Sequence, residues 1–177
     1  MKEEKLKDGE VLNVLIERFM ISKSPDDLEA IFLCLIDSNI SVPIDSNMKK
    51  RDIKELEKIK EDDNYTNKKS IVIKPDWLKP SGEDKVLLPI FSNEKEAPKE
   101  YREGFLWITL TLDDCIKMVD ENKNCKGIVL NAFTTPIEIK DKYLEALKTM
   151  LQEVRELQRA IKQEKEEGIE YPNIDEV

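Results

Sequence analysis

From Val11 onward, Leu12, Leu15, Ile16 and Phe19 recur at steps of three and four, so a helix here carries them on one stripe. A second start follows at Ser24-Pro25-Asp26-Asp27. Serine caps free amides, proline suits the first helical position, and the acids complement the positive end of the helix dipole. That helix turns Leu28, Ile31, Phe32 and Leu35 inward and ends near Ser38-Asn39. The period then changes from helical to extended, and Ile40-Ser41-Val42-Pro43-Ile44 reads as a short strand whose proline suits an edge or a strand end.

Residues 46–69 break the pattern with dense charge of both signs, and read as an excursion from the domain. Ile53, Leu56 and Ile59 could line a thin surface helix that Glu61-Asp62-Asp63-Asn64 would end; Lys49-Lys50-Arg51 is either a basic contact point or solvated loop. Beyond it, Ile71-Val72-Ile73 and Val86 to Phe91, joined through Pro80-Ser81-Gly82-Glu83-Asp84, are expected to pair as an antiparallel hairpin. After a polar bridge from Ser92 to Glu103, Phe105 to Leu110 alternates Leu106, Ile108 and Leu110 against Phe105 and Trp107, which predicts a central strand covered on both faces.

Thr111 with Asp114 three residues on is a capping signature for a short helix carrying Cys115, Ile116 and Val119, and Gly127 to Leu130 returns as a strand. The last element, about Lys140 to Glu167, is a long helix in which Leu144, Leu147, Leu151, Val154, Leu157 and Ile161 continue one stripe. Gly168 is placed to close it, ahead of an acidic tail over 169–177. The expected fold is α+β, a single mixed or largely antiparallel sheet with packed helices and a long C-terminal helix. One domain spans 1–150 and a helical extension with its tail spans 151–177.

Composition narrows the chemistry. The chain has 177 residues, a formal net charge of -9 and no histidine. Without imidazole there is no Ser-His or Cys-His pair and no histidine metal ligand. The acidic balance disfavours nucleic acid and anionic lipid, so neither is expected as a partner. Val11 to Ile21 is interrupted by polar residues and does not read as a signal peptide, and no apolar run approaches the ~20 residues of a membrane span. Cys34, Cys115 and Cys125 lack a disulfide-type spacing, which fits reduced thiols in a cytoplasm. No glycine pattern cradles phosphate, and no acidic spacing wraps calcium. A cofactor is not expected.

Read together, the helical pair, Leu88-Pro89-Ile90-Phe91-Ser92, the bridge into Trp107, the capped helix at Leu112 and the Ile128-Val129-Leu130-Asn131 strand end resemble the N-terminal domain of the SseB family. The likeness runs from about Ser24 to Leu147, apart from the excursion. Leu88 to Ser92 is similar to that family's Leu-Pro-hydrophobic-Phe-Thr/Ser signature; Asn131-Ala132 departs from the Asn-Pro of many members. The resemblance implies a compact α+β module without established catalytic residues, linked in some members to sulfurtransferase regulation.

Two places are candidates for function. The loop Asn131, Phe133, Thr134 and Thr135, following a buried strand, either receives a polar ligand or peptide, or is a local Asx turn with Phe133 filling the core. The outer helix residues Val154, Leu157 and Ile161 are the candidate interface for a homodimer or for a partner's groove. Among the thiols, Cys115 in a first helical turn reads as structural, while Cys125, in a Lys-Asn-Cys-Lys turn, is the more reactive. The expected function is a non-catalytic protein-interaction or regulatory module; the alternative is a small-ligand binder or enzyme using the 131–136 loop.

Overall fold

In the computed structural model, residues 9–45, 54 and 73–166 are described, with side chains up to Glu164. Most of the excursion, Ile71, Val72, Gly168 and the 169–177 tail lie outside the described residues. The fold is α+β. Helix α1 spans Glu10–Ser22 and α2 Pro25–Ile36. Ser24 caps α2 by accepting a hydrogen bond from the Asp26 amide, with Pro25 in the first turn. Strand β1, Ile40–Ile44, follows. The chain resumes through an irregular segment into β2, Val86–Ile90, a 3-10 turn at Glu94–Glu96 and a short helix α3, Lys99–Gly104. Then come β3, Leu106–Leu110, and α4, Leu112–Glu121, opened by the reciprocal Thr111–Asp114 capping box. The remaining elements are β4, Cys125–Leu130, β5, Ile137–Lys140, and the 25-residue helix α5, Lys142–Glu166.

The strands form two small sheets. β1 and β3 are antiparallel, with Ile40 opposite Leu110 and Ile44 opposite Leu106. β4 lies between β2, its parallel neighbour, and β5, its antiparallel one. Ser41 and Phe91 exchange two backbone hydrogen bonds of 2.9 Å, which stitch the two-stranded sheet to the three-stranded one. Gly127 is required where β4 and β5 approach: its φ is 155° and an added Cβ would stand 2.3 Å from the Ile139 carbonyl oxygen.

Three expectations change. β2 pairs in parallel with β4, and among the described residues a Leu78–Leu87 bridge links it to the segment before it, Ile71 and Val72 of the expected hairpin lying outside them. A run as uniformly apolar as Val86 to Phe91 is what a fully buried parallel strand looks like, and periodicity cannot name its neighbour. Among the described residues β3 pairs with β1 alone, so it is an edge strand whose two faces are covered by separate clusters. The polar bridge holds the 3-10 turn and α3, and Lys140, expected to open the last helix, instead ends strand Ile137–Lys140.

The main core joins Leu88, Ile90, Ile128 and Leu130 of the sheet with Leu12 and Ile16 of α1 and Phe32 and Leu35 of α2. Leu144, Leu147 and Leu151 of α5 close it, and Ile108 of β3 enters from the edge. A second cluster, Phe91, Ala97 and Trp107, lies beside it.

Candidate functional site

The turn after β2 brings Ser92 beneath the end of β4. The Ser92 amide donates to Asn131 Oδ1 at 3.0 Å, and Asn131 Nδ2 donates back to Ser92 Oγ at 3.2 Å. The Ser92 hydroxyl in turn donates to Asn13 Oδ1 on α1, whose Nδ2 reaches Glu96 Oε1 at 2.9 Å. Glu96 also accepts from the Thr134 hydroxyl at 2.8 Å. Gly9, at φ 73°, lets the start of α1 press against Ser92; an added Cβ there would be 2.3 Å from the Ser92 carbonyl oxygen.

This arrangement corrects the Asx-turn reading. Asn131 adopts φ 49°, a left-handed conformation that asparagine tolerates, and is 1% exposed with its amide committed to Ser92 and Asn13. Its donors and acceptor hold the fold, and none is turned to solvent. Phe133 does not fill the core: it is 42% exposed and lies with its ring parallel to Phe91 at 6.0 Å between centroids and tilted on Tyr101 at 4.6 Å. Thr134 is exposed beside Glu96 and Thr135 is half-buried. Tyr101 donates to Asp76, and its phenol is raised above the usual range by burial first and by that bond second. The sequence singled out Asn131 but missed Ser92, Asn13 and Glu96 as its partners.

The thiols are quiet. Cys115 is fully buried, and burial together with the Asp114 charge pushes its pKa up to about 12. Cys125 opens β4 instead of occupying a turn, and burial outweighs its hydrogen bonds to hold its pKa above the ordinary value. It is therefore no more inclined to thiolate than a free cysteine, contrary to the expectation from its lysine neighbours. Among the described residues no cluster of carboxylates and thiols could hold a metal ion, and no helix is long and apolar enough to cross a membrane.

Helix α5 carries the second candidate. Its inner residues Leu144, Leu147 and Leu151 are buried, and Arg155 ends the docked part. The Arg155 guanidinium donates to the Ile36 carbonyl at the end of α2 at 3.1 Å and to Asp113 in the first turn of α4 at 2.7 Å. Residues 156–163 are all exposed, Leu157 at 61% and Ile161 at 38%, while Val154 is half-buried against the core. The stretch from Glu156 to Glu166, about 16 Å at 1.5 Å per residue, is an overhang.

Leu157 and Ile161 do not continue the docked stripe. At about 100° per residue they align with Tyr143, Ala146, Met150 and Val154 within an arc of about 80°, centred about 90° from the buried leucines. Beside the first half of this outer stripe lies an apolar groove of about 600 Å³. Tyr143, Ala146 and Met150 form one wall; Phe19, Met20 and Leu28, from the α1–α2 corner, form the facing one. A further cavity of about 800 Å³, between Asp76, Trp77 and Phe105, is more polar.

Comparison of the chain with protein-family models, with curated proteins and with solved structures finds no match in any of the three.

Proposed function

We propose that the chain is a non-catalytic, cytoplasmic protein-interaction module of the SseB-like type, with α5 as its contact element. The observation that carries this reading is the outer stripe of α5, which runs from Tyr143 to Ile161 and leaves the domain still apolar. A solvated helix that needed only to cover the core would end at Leu151, or turn polar all round beyond it. The 131–136 loop supports this assignment by what its polar groups do: Asn131 is saturated by Ser92 and Asn13, and Thr134 is taken up by Glu96. Of loop residues 131–136, Pro136 alone lines a cavity named above, the groove beside α5.

Two measurements test the reading. Capture of a protein from native extract by the tethered wild-type chain is expected to be lost with Leu157→Glu/Ile161→Glu. A thermal-shift panel of metabolites is expected to be flat. A metabolite at 100 times its dissociation constant would add about 2.7 kcal/mol to stability. Such a hit mapping to the 131–136 loop would replace this reading by small-ligand binding.

A further inference from the structure

Resting on the reading that α5 is the contact element, we infer that its partner is a second copy of this chain, the α5 overhang of each copy filling the apolar groove of the other. The outer stripe is self-complementary when two copies run antiparallel about a two-fold axis between Met150 and Val154. In that register Tyr143 meets the other copy's Ile161, Ala146 meets Leu157, and Met150 meets Val154, so large side chains fall opposite smaller ones along the seam. The lengths agree. The groove wall from Lys142 to Met150 spans about 12 Å and the overhang about 16 Å, at 1.5 Å per residue.

Charge agrees at the two ends of the seam. On the flank of the stripe away from the core, the antiparallel register sets Lys142 of each copy near Glu164 of the other, giving two equivalent ion pairs, while Glu153 of each copy meets its equivalent near the two-fold axis. Lys142 lies over its own Tyr143 ring at 5.0 Å, which places the ammonium at the mouth of the groove. A parallel pairing would instead place this flank of the two copies on opposite sides of the seam, and would bring no Lys142–Glu164 pair together. Antiparallel packing also brings the exposed Leu157 and Ile161 towards Phe19, Met20 and Leu28 of the other copy.

Sedimentation equilibrium of the intact chain across concentration tests this. The wild type is expected to be a dimer. Leu157→Glu/Ile161→Glu is expected to be a monomer with unchanged far-ultraviolet circular dichroism, because both positions lie outside the core. Lys142→Glu and Glu164→Lys are each expected to weaken dimerisation about five-fold, as exposed ion pairs of this kind do when two are lost together, and the double reversal to restore it. A wild-type monomer at every concentration overturns self-association, whether the groove is then filled by another part of the same chain or left open. If that monomer still captures a foreign protein through Leu157 and Ile161, the protein-interaction reading survives; if it captures none, both fall. A dimer that persists in Leu157→Glu/Ile161→Glu, or unrescued loss in the charge reversal, overturns the proposed seam.

Discussion

Ser92 and Asn131, thirty-nine residues apart, bind each other in both directions: the serine amide donates to the asparagine carbonyl oxygen at 3.0 Å, and the asparagine amide donates to the serine hydroxyl at 3.2 Å. The pair locks the end of β2 to the end of β4 at the point where both strands leave the sheet. Asn131→Ala removes the acceptor of a buried amide and places alanine at φ 49°. It is expected to cost about 2–4 kcal/mol in urea unfolding. Asn131→Gly loses the same hydrogen bonds without the backbone penalty, so it is expected to cost about 1 kcal/mol less than alanine. Equal midpoints for the two variants would show that the left-handed conformation carries no penalty here.

Ile108 is 6% exposed and enters the main core from edge strand β3. Ile108→Asp puts a carboxylate among the apolar side chains of the main core, and is expected to destabilise by about 4 kcal/mol or more, with loss of the cooperative thermal transition at physiological temperature. Wild-type melting in that variant would remove Ile108 from the core and β3 from its place.

The Cys115 thiol is held near pKa 12 against an ordinary 9.0, mostly by burial. A raised folded value means that the folded state keeps a proton which the unfolded state gives up, so this contribution to stability is whole below pH 9 and is lost as pH climbs towards 12. Unfolding free energy is expected to fall across that window, and to fall less steeply in Cys115→Ala. At pH 8 the native thiol is expected to react with a disulfide reagent only at the rate of opening. Rapid labelling of Cys115 under native conditions would contradict the burial. Replacing Cys115 and Cys125 together by serine is expected to leave protein binding intact.

Arg155 joins α5 to the end of α2 and the start of α4 through the Ile36 carbonyl and Asp113. Its side chain is 26% exposed, so solvent screens part of the pairing. Arg155→Ala is expected to cost about 1–2 kcal/mol and to raise hydrogen exchange in α5 from Val154 onward, with little change in β4. Uniform exchange along the helix in both proteins would deny Arg155 its role as the last anchor.

Local chemistry was legible in the chain and long-range pairing was not. Ser24 with Pro25 and Thr111 with Asp114 were read as helix starts because a cap involves residues only two or three apart, and both caps form. Val86 to Ile90 was read as a strand, but its neighbour β4 lies beyond two helices and another strand, and an apolar run carries no mark of its partner. The same distance hid the partners of Asn131: an asparagine after a strand announces a polar role, and nothing near it in sequence points to Ser92 or Asn13. On α5, steps of three and four fitted all six apolar residues as one stripe. Only the burial of Leu144, Leu147 and Leu151 beside the exposure of Tyr143, Leu157 and Ile161 separates the two faces.

The antiparallel seam is tested most directly by disulfide trapping across it. Ala146→Cys/Leu157→Cys places the two new thiols opposite each other between copies in the proposed register, whereas Leu157→Cys alone places each thiol far from its equivalent. Mild oxidation is expected to convert the double variant to a covalent dimer, carrying a 146–157 link by peptide mapping, and to leave the Leu157→Cys variant largely unlinked. Absence of an intermolecular 146–157 link in the double variant, or equally fast dimer formation through Leu157→Cys alone, would contradict the account.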